Sequence, residues 1–326
     1  MSLSVGIVGL PNVGKSTLFN ALLSKQQAYA ANYPFATIEP NVGIVPVPDE
    51  RLDKLAEVVG AAKTVPATVE FVDIAGLIKG ASTGEGLGNK FLSHIREVSV
   101  IAHVVRVFAD DNIVKEGSTD PKSDFETVLT ELDLSDMEMV EKHNKKKNAD
   151  EQILPLFSKK PIMVILNVGE DQLSECEALE NKYADELGVE RSQVVAICAK
   201  VEEELSELSG EERSEYLAEL GVTDSGLVRL ISKAYETLGL MSYLTAGEKE
   251  VRAWTIPVGI TAPKAAGVIH TDFTKKFIKA KICNYDDFLE LGGWKGAAEK
   301  GKVRQEGKEY VMQDDDIVDF AIDRKS

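Results

Sequence analysis

The stretch Gly9-Leu-Pro-Asn-Val-Gly14-Lys15-Ser16-Thr17 lies between an apolar run, Val5-Gly-Ile-Val8, and a helical pattern, Thr17-Leu-Phe-Asn-Ala-Leu-Leu23. Strand, glycine-bounded turn, Lys-Ser and helix in that order read as a phosphate loop. The glycines let backbone N–H groups turn inward around the α- and β-phosphates, and the N-terminal end of the following helix adds partial positive charge. Lys15 is placed to reach the β- and γ-phosphates, and the Ser16 hydroxyl to take one position on a magnesium ion that bridges them. Asn12, Val13, Gly14, Lys15, Ser16 and Thr17 are the expected contacts on the phosphate side, with Lys15 also the catalytic cation.

Working outward, apolar strand candidates recur at 5–8, 68–72, 102–108, 162–166 and 194–197, separated by segments of helical period. That alternation implies an α/β fold, a mainly parallel sheet covered by helices on both faces, with ligands at the carboxyl ends of its strands. Asp73-Ile-Ala-Gly76 follows the second of these strands. There Asp73 can support magnesium through its water shell, and Gly76 can offer a backbone N–H to the γ-phosphate. Between this motif and the phosphate loop, Thr37 in Asn32-Tyr-Pro-Phe-Ala-Thr-Ile-Glu-Pro-Asn41 is the natural second hydroxyl ligand for magnesium. Gly80, Gly84, Gly86 and Gly88 suggest a segment that a ligand orders.

Asn167-Val-Gly-Glu170, after the strand at 162–166, occupies the place where GTP-binding proteins carry Asn-Lys-x-Asp. With valine at 168 and the longer acid at 170, the two-fold hydrogen bond to guanine N1–H and N2 is spoiled, whereas adenine has neither group to leave unpaired. ATP is therefore expected over GTP, with Asn167, Val168 and Glu170 at the base. Cys198-Ala199-Lys200 stands where a loop passes beneath the base, and Cys198 and Ala199 are expected to contribute backbone contacts.

The 326 residues, with 37 Lys+Arg against 54 Asp+Glu, carry a net charge of −17. Such a surface argues against coating naked DNA or an anionic membrane. Residues 241–326 are balanced, with 14 basic and 14 acidic side chains, so that segment is the better place for an RNA contact. Met1-Ser-Leu-Ser runs directly into the first strand and the longest apolar runs are strand-sized, so a cytoplasmic protein is expected. Cys176, Cys198 and Cys283 lack metal-ligand spacing and read as reduced packing residues.

These motifs, in this order and joined by Gly84-Glu-Gly-Leu-Gly88, resemble the Obg-like ATPase family, also called YchF. The likeness continues into Glu250-Val-Arg-Ala-Trp-Thr-Ile-Pro-Val-Gly259 and Gly267-Val-Ile-His-Thr-Asp-Phe273, which look like that family's C-terminal TGS domain. The resemblance implies a P-loop NTPase fold of GTPase type that prefers ATP, and association with ribosomes in translation or stress response. It further implies a nucleotide-binding domain at 1–118 and 161–240, a helical insertion at 119–160 and a β-grasp TGS domain at 241–326. The insertion is about half the length expected of the family.

Leu77 stands where a Ras-like enzyme has its water-positioning glutamine, and a leucine cannot orient water. Where family members offer a histidine this chain has Lys115, a candidate for stabilising γ-phosphate charge but a poor general base, and a solvated surface lysine is the plainer reading. Asn12 matches the asparagine through which some relatives hold potassium beside the phosphates, so K+ joins Mg2+ as a candidate cofactor. The ribosome or its RNA is the expected partner, through the insertion, where Lys145, Lys146 and Lys147 cluster, or through Lys275, Lys276, Lys279 and Lys281 in the TGS segment. A slow, switch-like ATPase is the leading reading; a ribosome adaptor with negligible hydrolysis and a conventional GTPase are the alternatives.

Overall fold

The structure, a computed structural model, describes residues 3–32, 41–74, 87–108, 120–145 and 154–323, without the side chains of 30–32 and 87–90. Thr37, Gly76, Leu77, Lys115, Lys146 and Lys147 lie outside these residues. The chain divides into two compact units, 1–45 with 69–238, and 46–68 with 239–326.

In the first unit the strands β1 (Ser4–Val8), β2 (Val42–Pro46), β4 (Thr68–Asp73), β5 (Val100–Arg106), β6 (Ile162–Asn167) and β7 (Val194–Ile197) form a sheet in the order β2-β4-β1-β5-β6-β7. The pairs β1–β4, β1–β5, β5–β6 and β6–β7 are parallel. Strands β1, β5 and β7 are buried along their whole length, as near-continuous apolar runs are in a sheet covered on both faces. After β1 the sheet grows first to one side, through β4, and then to the other, through β5. The crevice outside the carboxyl end of β1 is thus a topological switch point.

The helices of this unit are α1 (Lys15–Asn32), α3 (Leu87–Glu97), α4 (Pro121–Asn144), α5 (Cys176–Leu187), α6 (Ala199–Glu207), α7 (Gly210–Glu219) and α8 (Gly226–Thr237). Helix α4 starts where Asp120 accepts the backbone N–H groups of Lys122 and Ser123, with Pro121 in the first turn. It buries Phe125, Val128 and Leu132 against the unit. Lys145, at its end, is exposed and paired with Glu141.

The acidic stretch 202–220 forms two separate helices, α6 and α7. The chain breaks at Leu208–Ser209, where Glu212 Oε2 accepts the Ser209 N–H at 2.9 Å, the back-bond of a capping box that Ser209-x-x-Glu212 encodes. Buried Glu202 ties α6 to the start of α8 by accepting the Ser225 hydroxyl and the Gly226 N–H, both at 2.6 Å.

The second unit corrects the expected boundaries: residues 46–68 belong with 239–326 instead of with the nucleotide-binding segment. Its sheet runs β11 (Arg304–Glu306), β10 (Phe277–Asn284), β12 (Asp316–Ile322), β8 (Leu240–Ala246), β9 (Val251–Pro257), β3 (Thr64–Val65). Helices α9 (Ala262–Ile269) and α10 (Thr271–Lys276) accompany a core of Tyr243, Ile256, Ala265, Phe277, Ala280 and Val318. Helix α2 (Arg51–Val59) packs on β8, β9 and α11 (Tyr285–Glu290), and the short α12 (Trp294–Glu299) follows α11.

The expected basic cluster is partly neutralised within this sheet. Lys279 donates to Gln305 and Lys281 pairs with Asp319, whereas Lys275 and Lys276 end α10. Among the described residues no helix is long and apolar enough to cross a membrane.

Candidate phosphate-loop site

The loop Gly9–Gly14 leaves the carboxyl end of β1 and α1 begins at Lys15, so the Lys-Ser pair opens the helix with its N–H groups toward the switch-point crevice. Gly14 has φ of +96°, and a Cβ there would lie 2.1 Å from Asn167 Nδ2; no other residue fits. Asn12 is left-handed as well, at φ +61°, a conformation that asparagine tolerates. A pocket of about 950 Å³ opens here, lined by Asn12 and Gly14 to Thr17 on one side and by 167–172 and 198–200 on the other.

Lys15 is nearly buried and its ammonium donates to the Leu10 carbonyl at 2.6 Å, which holds the side chain over the loop. Burial lowers its pKa from the usual lysine range while the charge of Asp73 opposes that shift. Asp73, at the end of β4, is the mirror case: burial raises its carboxyl and Lys15 opposes. Each charge therefore supports the other, although Asp73 does not itself line the pocket. Exposed Ser16 in the first turn of α1 and Asp73 are hard oxygen donors of the kind magnesium takes. Among the described residues no three His, Cys, Asp or Glu side chains gather as a metal cage.

Asn167 organises the opposite wall. Its Nδ2 donates to Val13 O at 2.8 Å and its Oδ1 accepts the Ala199 N–H at 3.1 Å, so one buried side chain joins the phosphate loop to the first turn of α6. Three expectations are refined by this geometry. The Ala199 N–H is already paired with Asn167 and is not open to a ligand. Val168 lines the pocket, but its side chain is 1% exposed and packs in the core with Leu173 and Val201. Its backbone N–H is bonded to Ile197 O. Cys198 is also a core residue; its thiol pKa is raised by burial, and its sulfur receives the Val201 and Lys200 N–H groups. Glu170, by contrast, is exposed at the pocket, opening a 3₁₀ turn over Glu170–Glu175.

The structure adds Val107, Phe108, Asp171, Gln172, Lys200 and Glu203 to the lining. Phe108 stands just past the carboxyl end of β5, a position that the strand rule alone could have flagged. His103 is no part of the pocket: it is buried in β5 and stacked on Phe125 at 4.9 Å.

Comparison with known proteins agrees with this geometry. A family model described as 50S ribosome-binding GTPase, MMR_HSR1, matches residues 4–168, and one named YchF-GTPase_C, described as a protein of unknown function, matches 240–323. The chain is 50% identical to the ribosome-binding ATPase YchF of Bacillus subtilis, over 98% of this chain and 99% of that one. It is 47% identical to the protein of the same name from Escherichia coli O157:H7, with the same coverage. The alignment to the Bacillus protein runs over 363 positions, more than this chain has, so that relative carries segments absent here. Among solved structures, the Schizosaccharomyces pombe YchF GTPase superposes with a TM-score of 0.84 at 36% identity, covering 98% of this chain and 97% of that one.

Proposed function

The chain belongs to the YchF family, and on that premise we propose that it is a cytoplasmic, ribosome-associated ATPase that binds Mg-ATP and hydrolyses it slowly as a switch. The observation that carries the nucleotide half is the Asn167 clamp between Val13 and Ala199, with exposed Glu170 three residues on. In this reading the phosphate loop, Asn12 to Thr17, grips the triphosphate. Ser16, Thr37 and, through its water shell, Asp73 would hold magnesium, which would neutralise charge developing on the phosphates. Gly76 and Lys15 would act on the γ-phosphate, with Lys115 a weaker candidate, and Asn12 would be the residue to hold a potassium ion. Glu170 accepts from a base without a guanine N1–H and N2 pair, which favours adenine.

The ribosome half rests on the relatives' printed names and on the charge balance of 241–326. Its docking surface would be α4 of the insertion or the lysines Lys275 and Lys276 of the TGS segment.

A magnesium-dependent titration with labelled ATP and GTP, repeated on Lys15→Ala, tests the nucleotide half. ATP binding tighter than GTP and lost in the variant supports it; GTP preference overturns the base assignment. Phosphate release under saturating ATP separates the switch from a non-hydrolysing adaptor, the second reading that Leu77 favours. Substituting sodium for potassium in that assay tests the monovalent ion.

A further inference from the structure

We propose that Arg106, which lies outside the nucleotide pocket, is the positioning residue for its base end, acting through Phe108; the proposal rests on the pocket being a nucleotide site but not on which base it takes.

Arg106 ends β5 opposite Asn167, whose main-chain carbonyl accepts the Val107 N–H at 2.9 Å. The segment that carries Phe108 to the pocket is therefore fixed by the residue that clamps the phosphate loop. Arg106 then holds Phe108 at two points. Its guanidinium carbon lies 4.3 Å from the ring centroid, and its Nε donates to the Phe108 carbonyl at 3.2 Å. One side chain, itself only 9% exposed, thus fixes both the ring and the backbone of an aromatic residue at the pocket wall. Arg106 is not among the lining residues and reaches the pocket through Phe108.

The chemistry of the two ends of a nucleotide decides what such a wall is for. A triphosphate gains from N–H groups, cations and metal, which the phosphate loop supplies; an aromatic face offers it nothing. A purine ring and its ribose present flat apolar area that an aromatic wall buries, and a ring held in one orientation binds them without first being ordered. A planar guanidinium with a fixed donor fork is suited to this hold, and a lysine would keep the charge but lose the combination of stacking and Nε hydrogen bond.

The test compares ligands that share the phosphates and differ in the base. Affinities of Mg-ATP, Mg-GTP and Mg-tripolyphosphate are measured by calorimetry for the wild type, Arg106→Met, Arg106→Lys and Phe108→Leu. Arg106→Met should weaken whichever nucleotide the wild type binds better by roughly tenfold and leave tripolyphosphate within about twofold. Arg106→Lys should fall between, and in a Phe108→Leu background Arg106→Met should add little further loss, since the two act as one unit. Equal weakening of tripolyphosphate, no change for either ligand class, or additive losses would each overturn the assignment. Should Arg106→Met fail to fold, Arg106→Lys and the Phe108→Leu cycle built on it carry the same comparison. Preference for GTP in the wild type would sink the adenine reading and leave this inference standing.

Discussion

The side-chain amide of Asn167 donates to the main-chain carbonyl of Val13 at 2.8 Å, joining residues 154 apart in sequence across the floor of the pocket. A loop whose conformation depends on a distant side chain is only as ordered as that bond.

Asn167→Ala should therefore behave as a phosphate-loop variant although it removes no phosphate ligand. It leaves Val13 O and the Ala199 N–H without their buried partner, at about 1–3 kcal/mol. Nucleotide affinity should fall about ten- to hundredfold. Asn167→Asp should be no milder, because an acceptor would then face the Val13 carbonyl. Calorimetric titration with Mg-ATP checks both.

Gly14→Ala brings a methyl group to 2.1 Å from Asn167 Nδ2 in a backbone conformation that L residues avoid. The clamp must break for the methyl to fit. Loss of nucleotide binding with a folded, cooperative melt is the expected result, measured by titration alongside calorimetric unfolding.

His103 predicts a pH dependence. Burial, with the charge of Lys15 second, pushes its pKa down to about 3 from 6.5, and its Nδ1 has no partner among the described residues. Between those values the unfolded chain takes up a proton that the folded chain refuses, so stability is complete above pH 6.5 and declines as the pH falls toward 3. Well inside that window the slope is about 1.4 kcal/mol per pH unit from this group. His103→Leu should flatten it, read as a smaller difference between urea midpoints at pH 7 and pH 5 than in the wild type.

Arg51 predicts a dependence of the second unit on its N-terminal excursion. It holds Asp49 through Nε and Nη2 and the Asp314 carbonyl through Nη1, joining 46–68 to the end of the chain. These groups are partly exposed, so Arg51→Ala should cost only about 1 kcal/mol. A fragment of 239–326 alone loses β3 from the sheet edge and the cover of Leu52 and Leu55 on α2, and should fail to show a cooperative melt. Adding a peptide of 46–68 should restore it in part.

The nucleotide unit was largely legible because parallel strands buried on both faces write themselves as apolar runs. Four of the five strands read from sequence fall within one residue of β1, β4, β6 and β7, and β5 starts and ends two residues earlier than read. Strand β2, alternating half-buried and buried, and the two-residue β3 leave no such run. What failed was membership: α2 and β3 carry ordinary amphipathic patterns, and nothing local says which sheet a pattern will cover. In the site, glycines and Asn167 were legible because each answers a backbone requirement. Cys198 was legible as a packing residue and Phe108 as a strand-end position, but the buried state of Val168 was not, since it depends on neighbours brought in from other strands.

The excursion at 46–68 also has a consequence for how the protein comes into being. A domain encoded in one stretch can be gained or shed by a single joining event, but the second unit takes its edge strand and a covering helix from inside the first. It cannot be appended to or trimmed from this protein at residue 239 without leaving an unfinished sheet. During synthesis, α2 and β3 emerge long before the strands they pack on, so their apolar faces wait through the making of the entire nucleotide unit. The amino-terminal half of a protein built this way emerges from the ribosome with part of its fold incomplete.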